Sequence, residues 1–389
     1  MNNYQYNKSI FVILILGFIL RFFVAIYFNF NENNISIDSI SIHDYAVHFA
    51  NLLDQGKFHF KSYWNTTADV KGIPVDYRIK LFSFYLGTLY YFFKSSILLG
   101  SIFSILAWLM SAIVILRICN FFKLEKIYKT ALILIYSFLP SLVYFSSLIL
   151  REPYQLLFFN LFLLFYLLFL SNNKIKFLLL SFLFLFFLIL LHEAFLIFAA
   201  IVSLFTIILK LKDFLLNNKF LFFLLFLLII FYYFLFISNY IEILSKYAIQ
   251  EVSHYLNGIN DSRTAYIFKD DLLFFDLSSF LNFYFKSLFH YFFYPFLFTD
   301  LNFKDTILGF ENILRFLFFF LLIFNYLKYK KKFNFFLVIL ITFYFLIESI
   351  WSLGTANWGT SVRHHIPSIG ILLLNIVFLG KFFFSSKLK

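Results

Sequence analysis

The chain contains few of the residues that usually interrupt or crosslink a fold. Among its 389 residues are 11 glycines, five prolines and one cysteine, Cys119. A single cysteine excludes a disulfide framework. So few glycines and prolines exclude a glycine- and proline-rich disordered or fibrous chain. The sequence also has no glycine-rich phosphate loop or Walker pattern, so nucleotide-driven transport has no supporting motif.

Charged residues are scarce as well, at 13% of the chain, whereas hydrophobic residues make up 62%. Soluble domains average about 25% charged and 45–50% apolar residues. This composition is typical of an integral membrane protein. The formal charge of +12 would otherwise point to nucleic acid. In a membrane chain it raises first the question of which side of the bilayer carries the basic residues, and we expect no nucleic-acid partner.

Long apolar runs account for most of the chain. A helix needs about 20 apolar residues to cross the hydrocarbon core, with a range of about 17–25. Ten stretches reach or approach that length: 9–30, 96–116, 130–150, 154–170, 177–191, 194–209, 220–238, 312–327, 333–353 and 366–384. Two shorter stretches, 79–93 and 284–298, are either spans or interfacial helices. The sequence predicts one all-α, polytopic membrane domain over residues 1–389, with about ten transmembrane helices.

The basic residues orient these spans. With ten spans and a cytoplasmic N-terminus, the inner segments hold seventeen Lys and Arg against two acids, Glu125 and Asp213, as the positive-inside rule requires. The first span lacks a small-residue cleavage site and is interpreted as a signal anchor. Two long loops, 31–95 and 239–311, then lie outside the cell with most of the unusual polar residues. We therefore expect an extracytoplasmic active site.

The first outer loop contains an amphipathic helix over 43–56. Tyr45 and Phe49 recur at helical spacing, and Gly56 ends the pattern. At its start, Asp44 is interpreted either as an N-cap or first-turn acid stabilised by the helix dipole or as a general base near the membrane surface. His43 precedes it directly.

Two outer turns also carry ionisable residues. Arg151 and Glu152 either pair with each other or with headgroups, or Glu152 orients an acceptor or holds a metal. His192 and Glu193 end the following span, where snorkelling to the interface is the simpler interpretation.

The last outer turn, 354–367, is the most informative polar segment. It contains Asn357, Arg363, His364 and His365. Adjacent histidines do not share one helix face, which makes metal ligation by this motif alone a weak hypothesis. Arg363 with a histidine instead matches an anion clamp, because guanidinium binds phosphate oxygens bidentately. Plain headgroup binding is the alternative.

Taken in order, these motifs resemble the GT-C superfamily of membrane glycosyltransferases, specifically the bacterial group related to lipopolysaccharide core transferases. The matching residues are Asp44, Tyr45, Ala50, Leu53 and Gly56; Pro140, Ser141, Ser147, Leu150, Arg151, Glu152 and Pro153; Pro295, Phe296 and Glu311; and Asn357, Gly359, Thr360, Arg363 and Pro367. The resemblance implies an inverting hexosyl- or glycosyltransferase in the bacterial cytoplasmic membrane. Its donor would be a polyprenyl-phosphate sugar, and its acceptor a cell-surface glycan, lipid or protein.

The residues and the resemblance together predict the site. Asp44 and Glu152 are the candidate catalytic residues, and the candidate phosphate- or substrate-binding residues are His43, Arg151, Arg363, His364, His365 and Asn357, with His192 and Glu193 as additional candidates. Many relatives carry paired acids where this chain has His43 and Asp44, which leaves a divalent metal open. No other cofactor is expected.

Two other functions fit the same sequence. An O-antigen-type polysaccharide polymerase or ligase would also need outer arginines for pyrophosphate. A non-enzymatic lipid-glycan flippase or transporter should instead carry ionisable groups along a path through the membrane. The predicted spans are almost free of charged residues near their middle, with Arg21 and Glu348 as the exceptions. This pattern favours a surface-facing site over a path through the membrane.

Overall fold

A computed structural model describes residues 8–31, 36–57, 77–217, 277–294, 303–329, 334–355 and 358–385, and every regular element in these ranges is a helix. The helices are α1 (Lys8–Phe30), α2 (Ile37–Asp54), α3 (Tyr77–Phe93), α4 (Ile97–Phe121), α5 (Lys126–Phe138), α6 (Pro140–Ser146), α7 (Glu152–Asn172), α8 (Ile175–Leu191), α9 (Ala194–Asn217), α10 (Leu277–Phe293), α11 (Phe303–Tyr329), α12 (Phe335–Leu353), α13 (Trp358–His365), a 3₁₀ turn (Ile366–Ser368) and α14 (Ile369–Ser385).

Six segments in the described ranges are long and apolar enough to cross a bilayer: Lys8–Phe30, Ile97–Phe121, Glu152–Asn172, Gly309–Lys328, Phe335–Leu353 and Gly359–Lys381. The bent pair α5 and α6 would make a seventh, whereas α8 and the apolar part of α9 are shorter. The chain is therefore all-helical in these ranges, with several helices suited to a multi-pass membrane protein. The predicted span 220–238 lies outside the described residues, and a total of ten spans stays a prediction.

One predicted span is broken. The sequence predicted a single helix over 130–150, but α5 ends at Phe138, α6 begins at Pro140, and their axes differ by 55°. Proline has no N–H to donate and disfavours helical backbone at the preceding residue. Leu139 accordingly takes extended backbone, with ψ of 122°. The second piece ends at Ser146, four residues short of the predicted end.

Arg21 of α1 donates hydrogen bonds to both sides of this break. Its Nη1 donates to the carbonyl oxygens of Ser137 (2.7 Å) and Gly17 (3.0 Å), and its Nε donates to Ser146 Oγ (2.7 Å). The guanidinium carbon lies 3.6 Å from the centroid of the Trp108 ring, and Arg21 is fully buried. The buried cation therefore connects α1 and α4 to both halves of the broken segment through neutral partners.

The chain divides into two compact units. The first comprises Met1–Glu193, Ile313–Tyr344 and Arg363–Lys389, and the second comprises Ala194–Asn312 and Phe345–Val362. In the first, α7 packs against α4 and α8, α1 packs against α4 and α5, and α2 packs against α3. In the second, Tyr284 of α10 donates a hydrogen bond to Ser349 of α12 (2.9 Å).

Polar contacts mark both ends of the first unit. At one end, Arg151 Nη1 donates to the carbonyl oxygen of Leu191 (3.3 Å), where α7 begins and α8 ends. At the other end, Lys381 of α14 lies 3.4 Å from Glu125, which precedes α5. The span Gly359–Lys381 has 23 residues and measures about 34 Å at 1.5 Å per residue. Arg151, predicted to lie outside the cell, and Lys381, predicted to lie inside, thus belong to opposite ends of this unit.

Candidate active site

Helix α2 supplies the first acid of the site. It begins at Ile37, and the Ser36 side chain caps it by accepting a hydrogen bond from Ser39 N (3.3 Å). The interpretation of Asp44 as an N-cap or first-turn acid is therefore wrong. It assumed a helix that begins near residue 43, whereas α2 begins at Ile37. Asp38 is the acid of the first turn, where the helix dipole favours negative charge. Asp44 lies further along α2, half-buried and in contact with other groups.

Arg363 joins two acids that are distant in sequence. Its Nε donates to Glu152 Oε1 (2.8 Å), and its Nη1 donates to Asp38 Oδ2. Glu152 lies in the first turn of α7, so the acids come from α2 and α7 and the cation comes from the end of α13. Two carboxylates and one guanidinium in direct contact form the centre of the candidate site.

The two acids differ in exposure. The Glu152 side chain is 5% exposed and that of Asp38 is 44% exposed, with the Arg363 side chain at 22%. Glu152 Oε1 is bound by Arg363, while its Oε2 is buried and has no hydrogen-bond partner among the described residues. A buried carboxylate oxygen with free acceptor capacity can accept a hydrogen bond, or a proton, from a substrate hydroxyl.

The segment that carries Arg363 is helical. The sequence predicted an outer turn over 354–367, but residues 358–365 form α13, which continues through the 3₁₀ turn into α14. Arg363 and His364 are half-buried and His365 is buried, each facing a different direction because successive helical residues differ by 100°. Asn357 lies outside the described residues.

Further nitrogen donors surround this centre. The rings of His192 and His364 meet edge to face, with 6.0 Å between their centroids. Arg151, at the start of α7, is close enough to His364 to act on it electrostatically. Glu193 is exposed at the end of α8. The structure therefore gathers Glu152, Arg363, Arg151, His364 and His192 at one end of the first unit.

His43 is fixed by a separate group of contacts. Its Nδ1 lies 2.9 Å from the Tyr90 hydroxyl, which itself donates to the carbonyl oxygen of Ser96 (3.0 Å). Burial raises the pKa of the Tyr90 phenol, so its single proton remains available for that bond. Nδ1 of His43 must then be the donor, which leaves the lone pair of a neutral ring on Nε2. These contacts tie α2 to α3 and to the start of α4.

Sequence reasoning missed Asp38. A signal was present, because Ser36 followed by an acid two residues later matches the start of a helix. The aromatic repeat of Tyr45 and Phe49 drew attention to a later start. Within the described residues, no group of three or more His, Cys, Asp or Glu side chains could hold a metal ion. The structure therefore adds no support for the metal site left open above.

Comparison of the chain with models of protein families, with curated proteins and with solved structures finds no match. A function must therefore be argued from the arrangement of the residues themselves.

Proposed function

We propose that this chain is a glycosyltransferase of the GT-C type. It would move a sugar from a polyprenyl-phosphate donor to a cell-surface glycan, lipid or protein acceptor at the outer face of the bacterial cytoplasmic membrane. The observation that carries the proposal is the contact of Arg363 with Glu152 and Asp38 at one end of a bundle of apolar helices. Such a cluster offers both a cation for a phosphate and carboxylates for a hydroxyl.

Arg363 is proposed to stabilise the leaving group. In the reaction, the acceptor oxygen forms a bond to the anomeric carbon of the sugar while the bond from that carbon to the phosphate oxygen breaks. Negative charge develops on the departing lipid phosphate, and the planar guanidinium can bind its oxygens. Arg151 is proposed to add positive charge around it, and His192, His364 and His365 are proposed to add hydrogen-bond donors.

Glu152 is proposed to act as the general base. Its Oε1 is held by Arg363, and its Oε2 has free acceptor capacity among the described residues. It would take the proton of the acceptor hydroxyl as the new glycosidic bond forms. Asp44 is the second candidate for this role, since it is half-buried on α2.

The surface of the apolar helices suits a lipid-linked donor. On α1, Phe11 is 61% exposed and Phe23 is 63% exposed. Exposed aromatic side chains on a candidate span are compatible with acyl or polyprenyl chains, whereas in water they would form an unfavourable apolar surface.

Substitution of Glu152 tests the proposal. Purified protein is reconstituted into vesicles with a radiolabelled sugar on a polyprenyl monophosphate, and transfer to added envelope glycans is measured. We expect Glu152→Gln to lower the rate about 10²–10⁴-fold, the range for removal of a general base. The control, Glu125→Gln, makes the same change at the opposite end and should leave transfer intact. If Asp44→Asn abolishes transfer and Glu152→Gln does not, Asp44 is the base.

The same assay separates the competing functions. A polymerase or ligase would act on an oligosaccharide linked to polyprenyl pyrophosphate and ignore the monophosphate donor. A flippase would move labelled lipid across the vesicle membrane without forming a new glycosidic bond. Either result would contradict a monosaccharide transferase.

A further inference from the structure

Arg363 already has anionic partners in the structure. One guanidinium faces two carboxylates, so the three side chains together carry one net negative charge when the acids are ionised. While both acids remain in contact with Arg363, the two carboxylates repel a third anion that approaches it. Binding of a phosphate is therefore favoured when one acid leaves.

The two acids are not equally free to leave. Glu152 is almost completely buried, and separating it from Arg363 would leave an uncompensated charge in a low-dielectric environment. The Asp38 side chain is nearly half exposed, and water can solvate its carboxylate after it separates. It lies in the first turn of α2, where the positive end of the helix dipole stays close to it whether or not it contacts Arg363. Asp38 is the partner that can be exchanged.

We infer that the carboxylate of Asp38 occupies the position of a ligand phosphate on Arg363, and that phosphate binding displaces it. Nη1 of Arg363 then holds a phosphate oxygen while Nε keeps its bond to Glu152. The ligand class is a phosphate ester, which is a tetrahedral anion that the guanidinium can grip in place of a carboxylate. This inference deepens the proposed function, since it takes the donor phosphate to lie at Arg363.

Displacement also orders the binding of substrates. Before a phosphate arrives, the Asp38 carboxylate covers the Nη1 side of Arg363. After displacement, the arginine holds the leaving group while Glu152, still fixed on Nε, accepts the hydroxyl proton. The donor would therefore bind first and complete the arrangement that the acceptor needs. Asp38 acts as an intramolecular competitor and needs no part in the chemistry.

Binding measurements on the full chain in detergent test this inference. A short-chain polyprenyl phosphate is titrated by calorimetry into the wild type, Asp38→Asn and Asp54→Asn. Asp54 is a matched control because it is an exposed acid on the last turn of the same helix. We expect Asp38→Asn to tighten binding about tenfold, Asp54→Asn to leave it unchanged, and Asp38→Glu to resemble the wild type. Inorganic phosphate, as a second probe, shows whether the headgroup alone competes.

Unchanged or weaker binding by Asp38→Asn would overturn the inference. If that variant does not fold, as judged by its unfolding midpoint, Asp38→Ala and Asp38→Ser provide the same comparison. The result is separable from the proposed function because it uses no transfer reaction. Tighter binding without transfer from any donor would keep the phosphate site and reject the transferase. Transfer with unchanged binding would keep the transferase and reject displacement by Asp38.

Discussion

Arg21 and Arg363 lie in the same compact unit, and each donates hydrogen bonds to groups on two other helices. The partners of Arg21 in these bonds are carbonyl and hydroxyl oxygens, and its flat face covers Trp108. The partners of Arg363 are the carboxylates of Asp38 and Glu152. Arg21 is fully buried, whereas the side chain of Arg363 is 22% exposed.

The difference in partners indicates a difference in role. The oxygens that Arg21 contacts belong to buried, packed helices and cannot move away from it. Arg21 therefore acts as a permanent crosslink between these helices. A carboxylate on an exposed side chain can be replaced by another anion without leaving a buried polar group unsatisfied. We therefore propose that Arg21 stabilises the bundle and that Arg363 binds a ligand. Each of the following variants tests this contrast.

Arg363→Lys should give the largest effect. Lysine keeps the charge but loses the planar fork that contacts Asp38 and Glu152 together. We expect transfer to fall about 10²–10³-fold, the range for loss of one stabilising donor at a developing anion, with little change in the unfolding midpoint. Arg117→Lys is the control, since Arg117 is exposed on α4. Normal transfer by Arg363→Lys would contradict a role for Arg363 in the site.

Arg21→Gln should reverse that pattern. It removes three hydrogen bonds worth about 1 kcal/mol each and a desolvated cation–π contact worth about 2 kcal/mol. We expect the free energy of unfolding to fall by about 5 kcal/mol and the midpoint, followed by circular dichroism in detergent, to fall by about 6 °C. Phosphate affinity of the folded fraction should not change. A loss of affinity with unchanged stability would contradict the structural role.

Gly17→Ala should give the smallest effect and resemble Arg21→Gln. A Cβ at this position would lie 2.9 Å from Trp108 and 3.0 Å from the Cβ of Ser137, so the packing around Arg21 must shift. We expect a loss of about 1 kcal/mol, because overpacking is partly offset by the better helix propensity of alanine. Gly380→Ala has no atom within 4 Å of the added carbon and should not destabilise. Equal midpoints for the two variants would contradict this packing.

Much of the helical organisation could be predicted from composition and apolar run length. Six of the expected spans correspond to helices that could cross a bilayer, and 79–93 lies within α3. The break at Pro140 was missed because the stretch 130–150 is apolar on average, and a hydropathy average over about 20 residues hardly changes at a single proline. Proline stereochemistry supplies the local reason for the break. The donor to the carbonyl oxygen of Ser137 is Arg21, which is 116 residues away in the sequence.

The site could be predicted only in part. Their residue types and their predicted outer location made Arg151, Glu152, Arg363 and His364 candidates, and the structure gathers them. Their pairing depends on contacts across 211 and 325 residues, which no local pattern encodes. The helix start at Ser36 could have indicated Asp38 as a first-turn acid, but not its contact with Arg363. The roles of Asp44 and His43 stay predictions.

Protection of individual arginines tests the central claim most directly. The full chain in detergent is treated with phenylglyoxal, which modifies accessible guanidinium groups, with and without a short-chain polyprenyl phosphate, and modified peptides are quantified by mass spectrometry. We expect the lipid phosphate to slow modification of Arg363, while the exposed Arg117 reacts at the same rate in both samples and the buried Arg21 stays unmodified. Equal modification of Arg363 in the two samples would contradict a phosphate site at this residue.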